Sequence, residues 1–120
     1  QAMGQAEGAR FAKQLKRARL AFLDAVEFMV AHASADPNAA YSGSVPYLMM
    51  AGNLMAGWQM GRALLAASAE LQNGHDAEFM KSKIATCSFY ADHLLPRNQG
   101  WRDGIVEGAQ SVTAMALEAF

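Results

Sequence analysis

Histidine, cysteine and carboxylate side chains are the groups from which a helical chain would build a metal or acid–base site, and their spacing here assembles neither. His32, His75 and His93 stand far apart, and none belongs to a His-x-x-x-His or Glu-x-x-His pair. Those spacings are the ones that set two ligands on one face of a helix in bundle metal sites. Asp92 and His93 are adjacent, but neighbouring residues on a helix point about 100° apart and do not face each other. His93 therefore reads as a packing residue near a helix end. Cys87 falls on an apolar stripe, where a thiol behaves as a small hydrophobe. Phosphate loops, dinucleotide fingerprints and nucleophile elbows are absent. No catalytic residue, cofactor ligand or metal ligand is assigned. Asn53, Gln59 and Arg62 are the remaining polar groups of interest, because they interrupt a long apolar run and a buried polar group must find a partner. With His93 they are the candidates for buried anchors or domain contacts.

The element that must position these groups is the stretch VPYLMMAGNLMAGWQMGRALLAASAEL, Val45 to Leu71. Up to Ala69 its only polar side chains are Tyr47, Asn53, Trp58, Gln59, Arg62 and Ser68. A helix apolar on nearly every side is expected to be surrounded by the rest of its domain. Met49, Met50, Met55 and Met60 then read as core filling. Gly52, Gly57 and Gly61 each cost about 1 kcal/mol against Ala in a helix interior, and close approach of a neighbouring backbone would offset that. Arg62, Asn53 and Gln59 within the run, and the lack of a basic flank, argue against a membrane span.

Around this central helix, near 45–72, the chain reads as an all-α, up-and-down antiparallel bundle of about four helices. Phe11, Leu15, Ala18, Phe22, Ala25, Val26 and Met29 recur at helical spacing and predict a first helix over 8–33. Its outer face is basic early (Arg10, Lys13, Lys16, Arg17, Arg19) and acidic late (Asp24, Glu27), an order opposed to the helix dipole. Residues 36–44 read as a loop, with Ser44 capping the central helix and Pro46 in its first turn. Asn73-Gly74 is the stop signal. Asp76 is expected to cap a third helix running to Leu95, with Met80, Ile84, Cys87, Ala91 and Leu94 inward. Pro96 breaks the chain, and a fourth helix follows over 99–110, burying Trp101, Ile105 and Val106. Ser111 is expected to cap a last turn that includes Met115. No period-two alternation predicts a sheet.

Bulk properties narrow the function. The 120 residues suffice for one domain with its own core. Ten basic and eleven acidic residues nearly cancel, leaving no electrostatic footprint for nucleic acid. One cysteine excludes an internal disulfide and fits a reducing, cytoplasmic setting. The start QAMGQAEGARF lacks the pattern of a secretion signal. Opening on Gln, the chain is expected to be a piece of a larger protein, with residues 1–7 flexible or tag-derived.

Three segments in this order, PYLMMAGNLMAGWQMGRALLAA (Pro46 to Ala67), FYADHLLPR (Phe89 to Arg97) and GAQSVTAMALEAF (Gly108 to Phe120), resemble the C-terminal domain of long-form acyl-CoA dehydrogenases. The resemblance runs from about Phe11 to the last residue. It departs at the Met-rich central helix and at Arg97-Asn98-Gln99-Gly100-Trp101, where the family has more alanine. It implies a parent flavoprotein that oxidises acyl-CoA to the 2,3-enoyl thioester. In that family a glutamate takes the α-proton, FAD takes the β-hydride, and electrons pass to a carrier flavoprotein. None of that machinery is legible in this chain. FAD is expected in the parent and no cofactor in this segment. The role implied here is structural, a bundle packed on the catalytic core of the same parent chain or at a subunit contact in a homo-oligomer. The alternative is a free-standing helical interaction or dimerisation module. A ligand or haem carrier would need paired histidines that the chain lacks.

Overall fold

The structure is a computed structural model that describes residues 2–120, with side chains from Gln5 onward. Residue 1 of the expected flexible or tag-derived segment 1–7 lies outside the described residues, and residues 2–7 continue a helix. The elements are α1 (Ala2–His32), α2 (Pro37–Ser42), α3 (Ser44–Gln72), α4 (Ala77–Phe89), a π-helical turn (Tyr90–Leu94), α5 (Arg97–Glu107), α6 (Ala109–Val112) and a 3-10 turn (Leu117–Ala119). No strand occurs among the described residues, and the all-α bundle expected from periodicity is what the chain forms.

Three rods run along one another. Phe11 packs at Gly61, Leu15 at Gly57 and Phe22 at Tyr47, so α1 and α3 are antiparallel. A tight turn reverses α3 into α4. The fourth helix does not double back. Pro96 lacks an amide hydrogen, and the backbone absorbs it by widening one turn, with the Leu95 amide reaching the Tyr90 carbonyl at 3.0 Å. The rod then resumes as α5 along α1, with Asn98 near Ala18 and Arg102 3.3 Å from Asp24. The fourth predicted helix is thus the continuation of the third.

Two apolar clusters fill the interior. Phe11, Ala18, Leu64, Ala67, Ile84, Cys87, Ala91 and Leu95 form one, and Ala21, Ala25, Met50 and Ile105 the other. Gly57 and Gly61 lie where rods touch: a Cβ on Gly57 would stand 2.5 Å from Leu95 Cδ2, and one on Gly61 3.1 Å from the Phe11 ring.

Several local expectations change. Residues 37–42 are helical because Asp36 caps Ala39 N at 3.4 Å and Pro37 pre-sets the first turn. Gly43, not Ser44, occupies the N-cap of α3, and the Ser44 hydroxyl donates to the Tyr41 carbonyl at 2.9 Å. Asp76 holds the N-cap position of α4 without a side-chain cap bond, its backbone left-handed at φ 47°. Ser111 lies inside α6 and donates to the Gly108 carbonyl at 2.9 Å, capping nothing. Asn73 and Gly74 (φ 77°) do close α3. The largest correction concerns α3 itself, which is not surrounded. The other two rods cover only part of it, and Met49 and Met55 are exposed while Met50 is buried and Met60 half-buried.

Candidate functional site: the outer face of α3 and the polar clamp beneath it

The polar groups of α3 divide between its two sides. Asn53 points inward. Its Nδ2 donates to the Leu94 carbonyl at 2.8 Å and to Asn98 Oδ1 at 3.0 Å. Its Oδ1 accepts from the Tyr90 hydroxyl at 2.7 Å, and its carbonyl from the same hydroxyl at 3.2 Å. The π turn creates the need. Asn98 N bonds the Leu95 carbonyl at 3.2 Å, forgoing the α-helical bond to Leu94, and Asn53 supplies a donor to that carbonyl.

Asn98 is 0 % exposed and donates through Nδ2 to the carbonyls of Ala18 at 3.3 Å and Met50 at 3.5 Å. One buried amide thereby joins α1, α3 and α5. Sequence reading missed Asn98, because an Asn after Pro96 looks like a turn residue; the available signal was its place inside a resumed helix. Burial raises the Tyr90 hydroxyl above the ordinary phenol range, which keeps it protonated as the donor to Asn53. Burial likewise raises the Cys87 thiol, partly opposed by Lys83.

Gln59, Arg62 and His93 are exposed and are not buried anchors. The His93 ring leans on Phe89 with centroids 4.7 Å apart. The Arg62 guanidinium lies over the Trp58 ring, 5.4 Å from its centroid. His32 and His75 bond locally, to the Phe28 carbonyl and the Glu70 carboxylate, and no cluster of potential metal ligands occurs among the described residues.

Gln59 and Arg62 belong to a continuous outer stripe: Val45, Leu48, Met49, Gly52, Met55, Ala56, Gln59, Arg62, Ala66 and Ala69 are all exposed, at helical spacing. It is about 36 Å long at 1.5 Å per residue, and Arg62 is its single charge. Leu48 and Val45 are each 70 % exposed and Met55 63 %. A groove flanks each end. One of about 220 Å³ is lined by Phe11, Leu15, Trp58, Gly61, Arg62 and Leu65. The other, about 310 Å³, lies among Leu48, Met49, Asn53, Tyr90, Leu94, Arg97 and Trp101, above the clamp.

The bundle is long and thin, 66 × 28 × 16 Å, with a radius of gyration of 18.7 Å where about 14 Å suits a compact chain of this length. Its accessible surface is 7625 Å², against about 6300 Å² for a compact 12.9 kDa monomer. The excess of about 1300 Å² exceeds the roughly 800 Å² that one partner commits to a standard interface. Such an arrangement suits docking. Neither groove suits a flavin dinucleotide: two phosphates need paired donors, and the 310 Å³ groove offers one cation, Arg97, among mostly apolar walls. No helix among the described residues is long and apolar enough to cross a membrane.

A family model described as acetyl-CoA dehydrogenase C-terminal like matches residues 1–116. The chain is 43% identical over 114 residues to a 3-methylmercaptopropionyl-CoA dehydrogenase of Ruegeria pomeroyi, covering 95% of this chain and 19% of that protein. It is 39% identical over 57 residues to the broad-specificity linear acyl-CoA dehydrogenase FadE5 of Mycobacterium tuberculosis, covering 45% of this chain and 9% of that protein. The chain thus spans less than a fifth of the length of either curated relative. No solved structure matches it.

Proposed function

The chain belongs to the acetyl-CoA dehydrogenase C-terminal-like family, and from that premise we propose that it is the accessory helical domain of an FAD-dependent acyl-CoA dehydrogenase. The parent oxidises an acyl-CoA thioester to its 2,3-enoyl form and hands electrons to a carrier flavoprotein. The domain itself performs no chemistry. It packs on the parent's catalytic core, at a position where it can also support contacts between subunits.

The observation that carries this role is the surface excess of about 1300 Å² on a thin body whose central helix, α3, shows an apolar outer side. A bundle that ended at its own core would fold such side chains inward. FAD would be held by the parent's catalytic core, where it would supply the hydride acceptor beside a proton-abstracting carboxylate of that core. The test is the mass and absorbance spectrum of the native protein that contains this segment, followed by acyl-CoA oxidation with an artificial electron acceptor. A multidomain yellow protein that reduces the acceptor is expected. A colourless protein close to 12.9 kDa would overturn the reading in favour of a free-standing interaction module.

A further inference from the structure

We propose that the outer stripe of α3 is the seat of an amphipathic helix from the parent's own catalytic core, crossing α3 at Gly52 and presenting a carboxylate to Arg62. This rests on the reading of the chain as a dehydrogenase domain and specifies which surface docks and what it meets.

Gly52 supplies the first argument. Gly57 and Gly61, on the same helix, are each explained by a neighbour inside the bundle. A Cβ on Gly52 would meet nothing within 4 Å, so nothing in this chain repays its cost of about 1 kcal/mol in mid-helix. Gly52 and Ala56, one turn apart, leave a low saddle between Met49 and Met55, and Gly100 on α5 is equally open. A helix crossing this saddle brings its backbone close enough to recover the lost packing.

Charge identifies the occupant. From Val45 to Ala69 the stripe carries one cation and no carboxylate. Arg62 makes no salt bridge among the described residues and is held over Trp58, an arginine–aromatic pair of the kind that anchors interfaces. A two-fold interface with a second copy sets the same patch against itself and so brings two arginines and no acid. A partner helix bearing Asp or Glu satisfies the patch. The exposed stripe, about 36 Å long, is long enough to seat such a helix, and the relatives carry more than four fifths of their length outside the matched region.

The experiment uses the intact parent protein with a benzophenone amino acid in place of Met55, photolysed and mapped by peptide mass spectrometry. The expected adduct joins Met55 to a helical segment of the same polypeptide that holds an Asp or Glu. Arg62→Glu should lower its yield roughly tenfold, equivalent to about 1.4 kcal/mol, and Arg62→Lys should retain most of it. Mixing isotope-labelled and unlabelled protein exposes the rival: an α3-to-α3 adduct between copies overturns the proposal. So does a Met55 probe that captures nothing while a probe at Phe79, off the stripe, reaches the core. In that case the family reading survives, whereas a native protein with no further domain removes both. A second probe at Leu48 guards against misfolding at one position.

Discussion

The two sides of α3 have nearly the same composition and opposite fates. Inward, Met50, Gly57, Leu64 and Ala67 are buried against α1 and the α4–α5 rod. Outward, Met49, Gly52, Leu65 and Ala66 are exposed. Hydropathy alone cannot separate these two sets. What separates them is that the inner Gly57 and Gly61 each face a named side chain and the inner Asn53 closes a hydrogen-bonded network, whereas a Cβ on the outer Gly52 would meet nothing and the outer Arg62 lies over Trp58 with no salt bridge among the described residues. The difference teaches that an apolar face turned outward and one turned inward leave the same signature in sequence.

The largest expected effect lies on the inner side. Asn98→Ala removes the buried amide that joins three helices and leaves a cavity, and it should lower unfolding free energy by about 2–3 kcal/mol in urea titration. A loss under 0.5 kcal/mol would mean that the clamp is incidental. The same glycine substitution on the two sides sharpens the comparison. Gly57→Ala drives a methyl into Leu95 and should cost about 1–2 kcal/mol after the gain in helix propensity. Gly52→Ala, in open space, should raise the domain's own stability by about 0.4–1 kcal/mol. Equal denaturation midpoints for the two variants would erase the distinction between the sides.

The smallest effect is a pH dependence on the inner side. Burial raises both the Cys87 thiol and the Tyr90 hydroxyl, so over alkaline pH the unfolded chain loses protons that the folded chain keeps. Stability is then full below the ordinary values of these groups and falls as pH rises past them towards the raised ones. Denaturation midpoints measured from pH 7 to about 11 should decline, less steeply in Cys87→Ala than in the parent sequence.

Much of this fold was legible in the sequence, and the limits are physical. Period 3.6 marked α1 and α4, a long apolar run marked α3, and Asn73-Gly74 marked its end, because apolar spacing and left-handed turn chemistry are local properties. The family was legible from three motifs. Residues 37–42 were misread because Asp-Pro serves equally as a loop signal and as a cap followed by a first helical residue. The course of α5 was misread because Pro96 ordinarily ends a helix, and here a π turn carries the rod past it. Of the site residues, Asn53 was visible as a polar break in an apolar run, but Asn98 was not, since its partners lie 45 and 80 positions away. Gln59 and Arg62 look the same in sequence whether they face a core or a partner.

The span of the Asn98 bond also sets an order of events in folding. It links residues 80 apart, whereas α3 and α4 are joined by the turn between Gln72 and Ala77. Closing a loop of that length costs more chain entropy than closing a short turn, and little rewards it until the helices on both sides exist. The α3–α4 hairpin should therefore gain amide protection first in pulse-labelled hydrogen exchange, and earlier protection of α5 would contradict this. The clamp that fixes the bundle's architecture is then the last part of it to close.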